Sequence, residues 1–239
     1  TVIRQALKEK VKPVLFINKV DRLIAELQVT PEDMMQRFGK IITEVNKLIS
    51  RMVPEEFKKE WMVDAQAGTV AFGSAYHNWA TSLPFMAKKN VNFKQIYEFM
   101  EKEQKRELAQ AAPLHEVLLD MIVEKLPSAD DAQKYRIPHI WRGEAEEDIG
   151  QAMVNADGKG DSAFMVTKVV LDPHAGEIAV GRLFSGSIKK GDQMFVAGMP
   201  NANRVQSVGM FVGGDRIATE TVTAGNIIAV SGLRDAQSG

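Results

Sequence analysis

Val14-Leu15-Phe16-Ile17-Asn18-Lys19-Val20-Asp21 decides how the first half of this chain is read. Its first four residues are apolar and β-prone, a short run that fits a strand buried on both faces. Pro13 suits the start of that strand, where a missing N–H costs little. The tetrad Asn18-Lys19-Val20-Asp21 then falls at the strand's carboxyl end. Open α/β sheets bind ligands in the crevice outside the carboxyl ends of their strands, so this is where a nucleotide would be read.

The chemistry of Asp21 points to one base. An ionised carboxylate only accepts, through two oxygens, and guanine offers two adjacent donors, its ring N–H and its exocyclic amine. Adenine would set an acceptor against the carboxylate and leave buried groups unpaired. Asp21 is therefore the predicted base selector. Lys19 can lay its hydrocarbon stem over the base while its ammonium stays hydrated, and Asn18 can brace the loop or bond the base edge. The competing reading is an ordinary strand-end turn, since Asn and Asp are favoured in turns in any case.

Asn-Lys-x-Asp resembles the base-reading motif of GTP-binding proteins. Further along, Thr69-Val70-Ala71-Phe72 reads as a second strand, and Gly73-Ser74-Ala75 leaves it at the same kind of exit. In GTPases a Ser-Ala step after a later strand supplies a backbone N–H to the guanine carbonyl. The resemblance thus implies that role for Ser74 and Ala75, with Gly73 letting the backbone come close. Two strand-end loops in this order, separated by enough chain for a helix, are a stronger signal than either alone.

With 239 residues, 45% of them hydrophobic, the chain can form one large or two ordinary domains. A formal charge of −1 provides no global field for nucleic acid, so any RNA contact must be local. Cysteine is absent, which excludes a disulfide scaffold and a thiolate zinc site and is compatible with a reducing cytoplasm. No run of about 18 apolar residues predicts a membrane span. Thr1-Val2-Ile3-Arg4 opens as if inside a helix, without an initiator Met, and the expectation is a fragment of a longer protein.

Taken in order, residues 1–10 predict the end of a helix and Arg22 to Leu27 a loop or short turn. Thr30-Pro31-Glu32-Asp33 has an N-cap Thr, Pro at N1 and acid in the first turn, a clear helix start. Met34, Met35, Phe38, Ile41, Ile42, Val45, Leu48, Ile49 and Met52 follow at helical spacing, a stripe that reads as core. Pro54 ends this helix, and charged Glu55 to Glu60 leads to the second strand. Helices are predicted from about His77 to Ala87, over Asn92 to Gln110, and from Pro113 through Leu126. The mixed charges of Glu101 to Glu107 suit a solvated face. His115-Glu116 begins like a zinc-protease motif, but Leu119 stands where the second His belongs, so no metal site is read there.

Near Pro127 the pattern changes. Predicted strands are Ala163–Leu171, Glu177–Phe184, Gln193–Ala197, Arg204–Val212 and Ile227–Val230. Turns fall at Asp172-Pro173-His174-Ala175-Gly176, Lys190-Gly191-Asp192 and Gly213-Gly214-Asp215. Short strands at this spacing indicate an antiparallel barrel. The fold class is thus α/β followed by an all-β barrel: residues 1–126, a connector and first strand at 127–161, and the barrel at 162–239.

The run Gly181-Arg182-Leu183-Phe184-Ser185-Gly186-Ser187-Ile188-Lys189-Lys190-Gly191-Asp192 resembles the signature of the second domain of translational GTPases. Ala224-Gly225-Asn226-Ile227-Ile228-Ala229-Val230 resembles that domain's closing segment. Asn18-Lys19-Val20-Asp21-Arg22 followed by Glu26-Leu27-Gln28, then Ala71-Phe72-Gly73-Ser74-Ala75-Tyr76-His77 and Tyr135-Arg136-Ile137-Pro138, narrow the resemblance to the elongation factor 2 family. The compact segment after Trp79 is closer to its archaeal branch. The resemblance implies a partial P-loop GTPase domain over 1–126 and a cytoplasmic factor that hydrolyses GTP on the ribosome. It also implies coupling of hydrolysis to movement of tRNA and mRNA. Ribosomal RNA and proteins are the implied partners, with tRNA and mRNA engaged indirectly and no membrane. Arg182, Lys189, Lys190 and Arg204 are candidate RNA contacts, against the alternative of a solvated barrel surface.

One departure from the family is decisive. The phosphate cradle Gly-x4-Gly-Lys-Ser/Thr, whose hydroxyl binds magnesium, must precede the tetrad, and nothing before Asn18 supplies it. Asp157-Gly158-Lys159-Gly160 spells the family's Asp-x-x-Gly but lies in the second domain and reads as a turn. No histidine occupies the catalytic position. The substrate-binding residues expected in this chain are Asn18, Lys19, Val20, Asp21, Ser74 and Ala75. No catalytic or metal residue is expected, Mg2+ belongs to the full-length protein, and the piece alone is expected to be inactive. A nucleotide-independent ribosome- or protein-binding adaptor, or a release or initiation factor, stay open as alternatives.

Overall fold

The structure, a computed structural model, describes residues 2–89, 91–173 and 175–238. It divides into two compact units, Thr1–Leu126 and Pro127–Gly239. Thr1 of the expected opening helix and His174 of the expected turn lie outside the described residues.

The first unit runs α1 (Val2–Lys8), β1 (Leu15–Ile17), α2 (Val20–Ala25), α3 (Pro31–Met52), α4 (Glu55–Trp61), β2 (Val70–Ser74), β3 (Trp79–Thr81), α5 (Leu83–Lys89), α6 (Phe93–Glu101), α7 (Lys105–Ala111) and α8 (Leu114–Lys125). Its sheet has the order β1-β2-β3. β1 and β2 are parallel, with Leu15 opposite Val70 and Ile17 opposite Phe72, so their carboxyl ends open side by side. Every residue of β2 and β3 is buried, as a strand covered on both faces requires.

α3 begins where its capping sequence predicts. The Thr30 hydroxyl accepts from the Asp33 N–H at 3.2 Å, and Pro31 opens the first turn. Met34, Phe38 and Ile49 are buried, but Met35 is 68% exposed, so the Met-rich stripe is core over a narrower arc than its spacing suggests. Phe38 stacks on Phe72 of β2 with ring centroids 4.7 Å apart. Asn46 spans the gap to the next connection: its Nδ2 donates to the Val63 carbonyl at 2.9 Å and its Oδ1 accepts from the Val63 N–H at 2.8 Å. Full burial of a large side chain such as Trp61 or Ile96 is worth about 1.5–3 kcal/mol.

Several expected loops are ordered elements. Arg22 to Leu27 is largely helix: Val20 and Ile24 bury one face of α2, and Arg22 pairs with Glu26 at 2.9 Å one turn on. Glu55 to Glu60 forms α4, which buries Trp61. The expected helix from His77 is instead a turn and β3, with helix only from Leu83. The expected helix over Asn92 to Gln110 is broken between α6 and α7, where Glu103 has φ 55°. Asn92 and Gln95 form a reciprocal cap that starts α6.

The second unit runs α9 (Ala129–Ile140), α10 (Asp148–Val154), β4 (Ala163–Asp172), β5 (Gly176–Ser185), β6 (Ser187–Lys189), β7 (Gln193–Phe195), β8 (Ala202–Arg204), β9 (Ser207–Val212), β10 (Asp215–Thr219), β11 (Thr221–Thr223) and β12 (Ile227–Ser231). The expected first strand within 127–161 is not found; that segment carries α9 and α10. The reason is local. The Ser128 hydroxyl caps α9 by accepting from the Asp131 N–H, and Asp130 and Asp131 occupy the first turn. The Ser128 hydroxyl also donates to the Asp131 carboxylate and, with Lys134, holds that carboxyl below its usual range. Pro138 sits in the last turn, too late to prevent the helix.

A five-stranded antiparallel sheet of order β10-β9-β12-β5-β4 and two ribbons, β11-β6 and β7-β8, make up the rest. They pack round an apolar core that includes Leu183, Ile188, Val208, Val222 and Ile228, with a smaller cluster of Ile178, Val180 and Ala229. This is the α/β unit followed by a β-rich unit that the fold class calls for. The two stretches that resemble the second-domain signature meet in space. The Leu183 N–H donates to the Asn226 carbonyl at 3.0 Å and the Gly225 N–H to the Leu183 carbonyl at 2.8 Å. Arg182 is half-buried and donates to the Gly225 carbonyl at 2.6 Å. Burial, then the charge of Arg136, draws its guanidinium below the ordinary value. Arg182 is therefore tied into the unit, whereas Lys189, Lys190 and Arg204 are exposed. Asp157-Gly158-Lys159-Gly160 is a turn in which the Lys159 N–H donates to Asp157 Oδ1 at 2.9 Å. Among the described residues no helix is long and apolar enough to cross a membrane.

Candidate functional site

Parallel pairing of β1 with β2 brings two loops together that are distant in sequence. Asn18 leaves β1 beside the end of β2, and its side-chain Oδ1 accepts two N–H groups. One is from Lys19 at 2.8 Å; the other is from Ala75, 57 residues on, at 3.0 Å. Asn18 is thus the brace between the loops. The Ala75 N–H, which the resemblance assigned to the guanine carbonyl, is directed to Asn18 instead.

Lys19 sits at φ 65° and ψ 32°, a left-handed conformation that a non-glycine residue adopts at a cost, and it is the N-cap of α2. The sharp turn buries Val20 completely and leaves Lys19 exposed. It also places Asp21 in the first turn of α2 with its side chain only 14% exposed. Asp21 Oδ1 is covered and has no hydrogen-bond partner among the described residues, which for a buried polar group costs about 1–3 kcal/mol or more.

The second loop differs from its expected form. β2 continues through Gly73 and Ser74 and turns back into β3, pairing Gly73 with Ala80 and Ser74 with Trp79. A Cβ at Gly73 would lie 2.3 Å from the Trp79 carbonyl oxygen, so this glycine permits close approach of β3. Ser74 is fully buried, and its hydroxyl accepts from the His77 N–H at 3.2 Å. Ala75 is exposed at the start of the turn, and Asn78, at φ 57°, closes it. His77 was expected at a helix start; the turn instead aims its imidazole at the tetrad, with Nε2 3.7 Å from Asp21 Oδ2. The Asn78 that precedes the three residues of β3 was the available signal for this hairpin.

Asn18→Ala removes the shared acceptor. The expected result is a loss of about 1 kcal/mol from the first unit, with exchange of the Ala75 amide about fivefold faster. Denaturant melts and amide hydrogen exchange check it; unchanged protection at Ala75 would remove the brace from Asn18.

Comparison with known proteins agrees with both halves of this picture. The family model described as the elongation factor Tu GTP-binding domain matches residues 1–128, and that of elongation factor Tu domain 2 matches residues 176–239. Elongation factor 2 of Pyrococcus horikoshii is 56% identical over 239 residues, covering 100% of this chain and 33% of that protein. Elongation factor 2 of Methanococcus vannielii is also 56% identical over the same 100% and 33%. That of Picrophilus torridus is 56% identical, over 100% of this chain and 32% of its own length. The chain spans about a third of the length of these relatives. With a core that buries β2 and β3, paired strand-end loops and a β-rich second unit, the chain belongs to the family of the elongation factor Tu GTP-binding domain, and its homology runs to archaeal elongation factor 2.

Proposed function

We propose that this chain supplies the guanine-reading part of the GTP site in a translational GTPase, one that couples GTP hydrolysis on the ribosome to movement of tRNA and mRNA. The observation that carries the reading is the Asn18 bridge, which sets the tetrad and the Ser74-Ala75 step side by side. In it, Asp21 accepts from the ring N–H and exocyclic amine of guanine, Lys19 covers the base, and Asn18 and Val20 hold the loop, the one by its two hydrogen bonds and the other by burial. Ala75 forms the facing wall, and Ser74, buried beneath it, holds the turn through the His77 N–H. The relatives' name, elongation factor 2, supports the ribosome as partner. Residues 1–126 are assigned to the GTP-binding domain, 127–161 to the connector and 162–239 to the second domain, in a factor of the cytoplasm.

The phosphate end of the site is another matter. The sequence has no Gly-x4-Gly-Lys-Ser/Thr, and among the described residues no group of three His, Asp or Glu side chains converges. Magnesium is assigned to the full-length protein rather than to these residues. Affinity from phosphate held by backbone N–H groups and from the ion is therefore not available to this chain. Titration of the chain with a fluorescent guanine nucleotide should give a dissociation constant of roughly 1 mM, about −4 kcal/mol, with guanine ahead of adenine. Micromolar affinity, or equal binding of the two bases, contradicts the reading.

A further inference from the structure

We infer that His77 is a positioning residue for the base-reading carboxylate, setting the rotation of the Asp21 carboxyl group and with it the preference for guanine over a purine that lacks the exocyclic amine. This rests on the guanine site proposed above.

His77 is held at both ends. Its N–H is fixed by the buried Ser74 hydroxyl, and its ring meets the edge of Tyr76 with centroids 4.8 Å apart and planes at 75°. Tyr76 is itself 86% exposed, so the aromatic pair stands at the hairpin tip with only the imidazole turned inward. The His77 side chain is 19% exposed and that of Asp21 14%. At 3.7 Å, Nε2 lies within ion-pair range of Oδ2 but beyond a full hydrogen bond, so it biases the carboxylate without saturating it. Oδ1 is covered and accepts no hydrogen bond among the described residues. Of the charged neighbours on the same loop, Arg22 is paired with Glu26 and acts on Asp21 only through its charge, and Lys19 faces solvent.

Rotation of a carboxyl group about its last bond is broad and roughly two-fold, so an Asp in an open loop samples many orientations. Guanine needs two coplanar acceptors at once. A carboxylate turned by a few tens of degrees keeps one of those bonds and weakens the other. Hypoxanthine differs from guanine at this edge by the amine alone, so the ratio of the two affinities reads the orientation of the carboxylate.

The test follows the Ala75 and His77 amide signals of this chain by NMR during titration with millimolar guanosine or inosine 5′-monophosphate, whose phosphates are identical. The original chain should favour the guanine nucleotide about tenfold. His77→Ala should bring that ratio to within about twofold, while His77→Gln, which keeps a donor near the Nε2 position, should retain most of it. A preference that survives His77→Ala but not Asp21→Asn overturns the role of His77 and leaves the base site standing. Absence of any preference in the original chain, or no effect of Asp21→Asn, overturns the base site and the inference together. Loss of the hairpin's amide signals in both His77 variants marks a merely structural turn residue and also overturns it.

Discussion

Asp21→Asn, in a factor that joins these loops to a phosphate-binding loop, should turn base preference from guanine toward xanthine. The substitution replaces an acceptor-only group by one that also donates. Guanine's amine then meets an amide N–H₂, whereas xanthine offers a carbonyl at the same ring position. A mispaired buried polar group costs about 1–3 kcal/mol, so GTP affinity should fall by roughly tenfold to a hundredfold and xanthosine triphosphate should gain by a similar factor. Competition between the two triphosphates measures this directly. Stability should move the other way or not at all, because Asp21 Oδ1 has no hydrogen-bond partner among the described residues and a neutral amide is less costly to bury than an unpaired carboxylate. A variant that melts as the original does but binds GTP and xanthosine triphosphate in the original ratio would remove Asp21 from base selection.

The parts of this arrangement that the sequence made legible are those written in local chemistry. β1 is an apolar run after Pro13, β2 carries the apolar run Val70-Ala71-Phe72, and α3 announces itself through Thr30, Pro31 and Asp33. The parts that stayed hidden depend on partners far along the chain. Trp79-Ala80-Thr81 is too short for a period to show and is buried on both faces, so it read as the start of a helix. α9 was hidden by Pro127 just before it and Pro138 in its last turn, although Ser128 and Asp131 carried a cap signal. β6 and β11 are three-residue strands that pair with each other across the second unit, from Ser187 opposite Thr223 to Lys189 opposite Thr221. In the site, the tetrad could be read from residue chemistry alone. The direction of the Ala75 N–H and the approach of His77 to Asp21 could not, since both follow from how tightly β2 turns into β3.

The close approach of β3 to β2 also makes Gly73 a place where a single added methyl group should do damage. β2 is the middle strand of its sheet, with β1 on one side and β3 on the other. An added Cβ at Gly73 would stand 2.3 Å from the Trp79 carbonyl oxygen, 2.7 Å from Ala80 Cα and 3.0 Å from Ala80 Cβ. The first two of these are backbone atoms, so no rotamer change relieves the clash; the strands must separate. Trp79 and Ala80 are both fully buried, and moving them opens contacts around them as well as the strand pairing itself. Overpacking of this kind costs about 1–3 kcal/mol, and loss of the Asn18 bridge would add about 1 kcal/mol. Against a typical domain stability of about 5–15 kcal/mol, Gly73→Ala should lower the melting temperature of the first unit by roughly 10 °C or more. Gly39→Ala supplies the opposite sign. It lies within α3 with nothing within 4 Å of an added Cβ, so there the methyl group should stabilise by about 0.5–1 kcal/mol through helix propensity. Thermal melts of the two variants beside the original chain decide the matter, and a Gly73→Ala chain that melts with or above the original would show that β3 does not depend on this close approach.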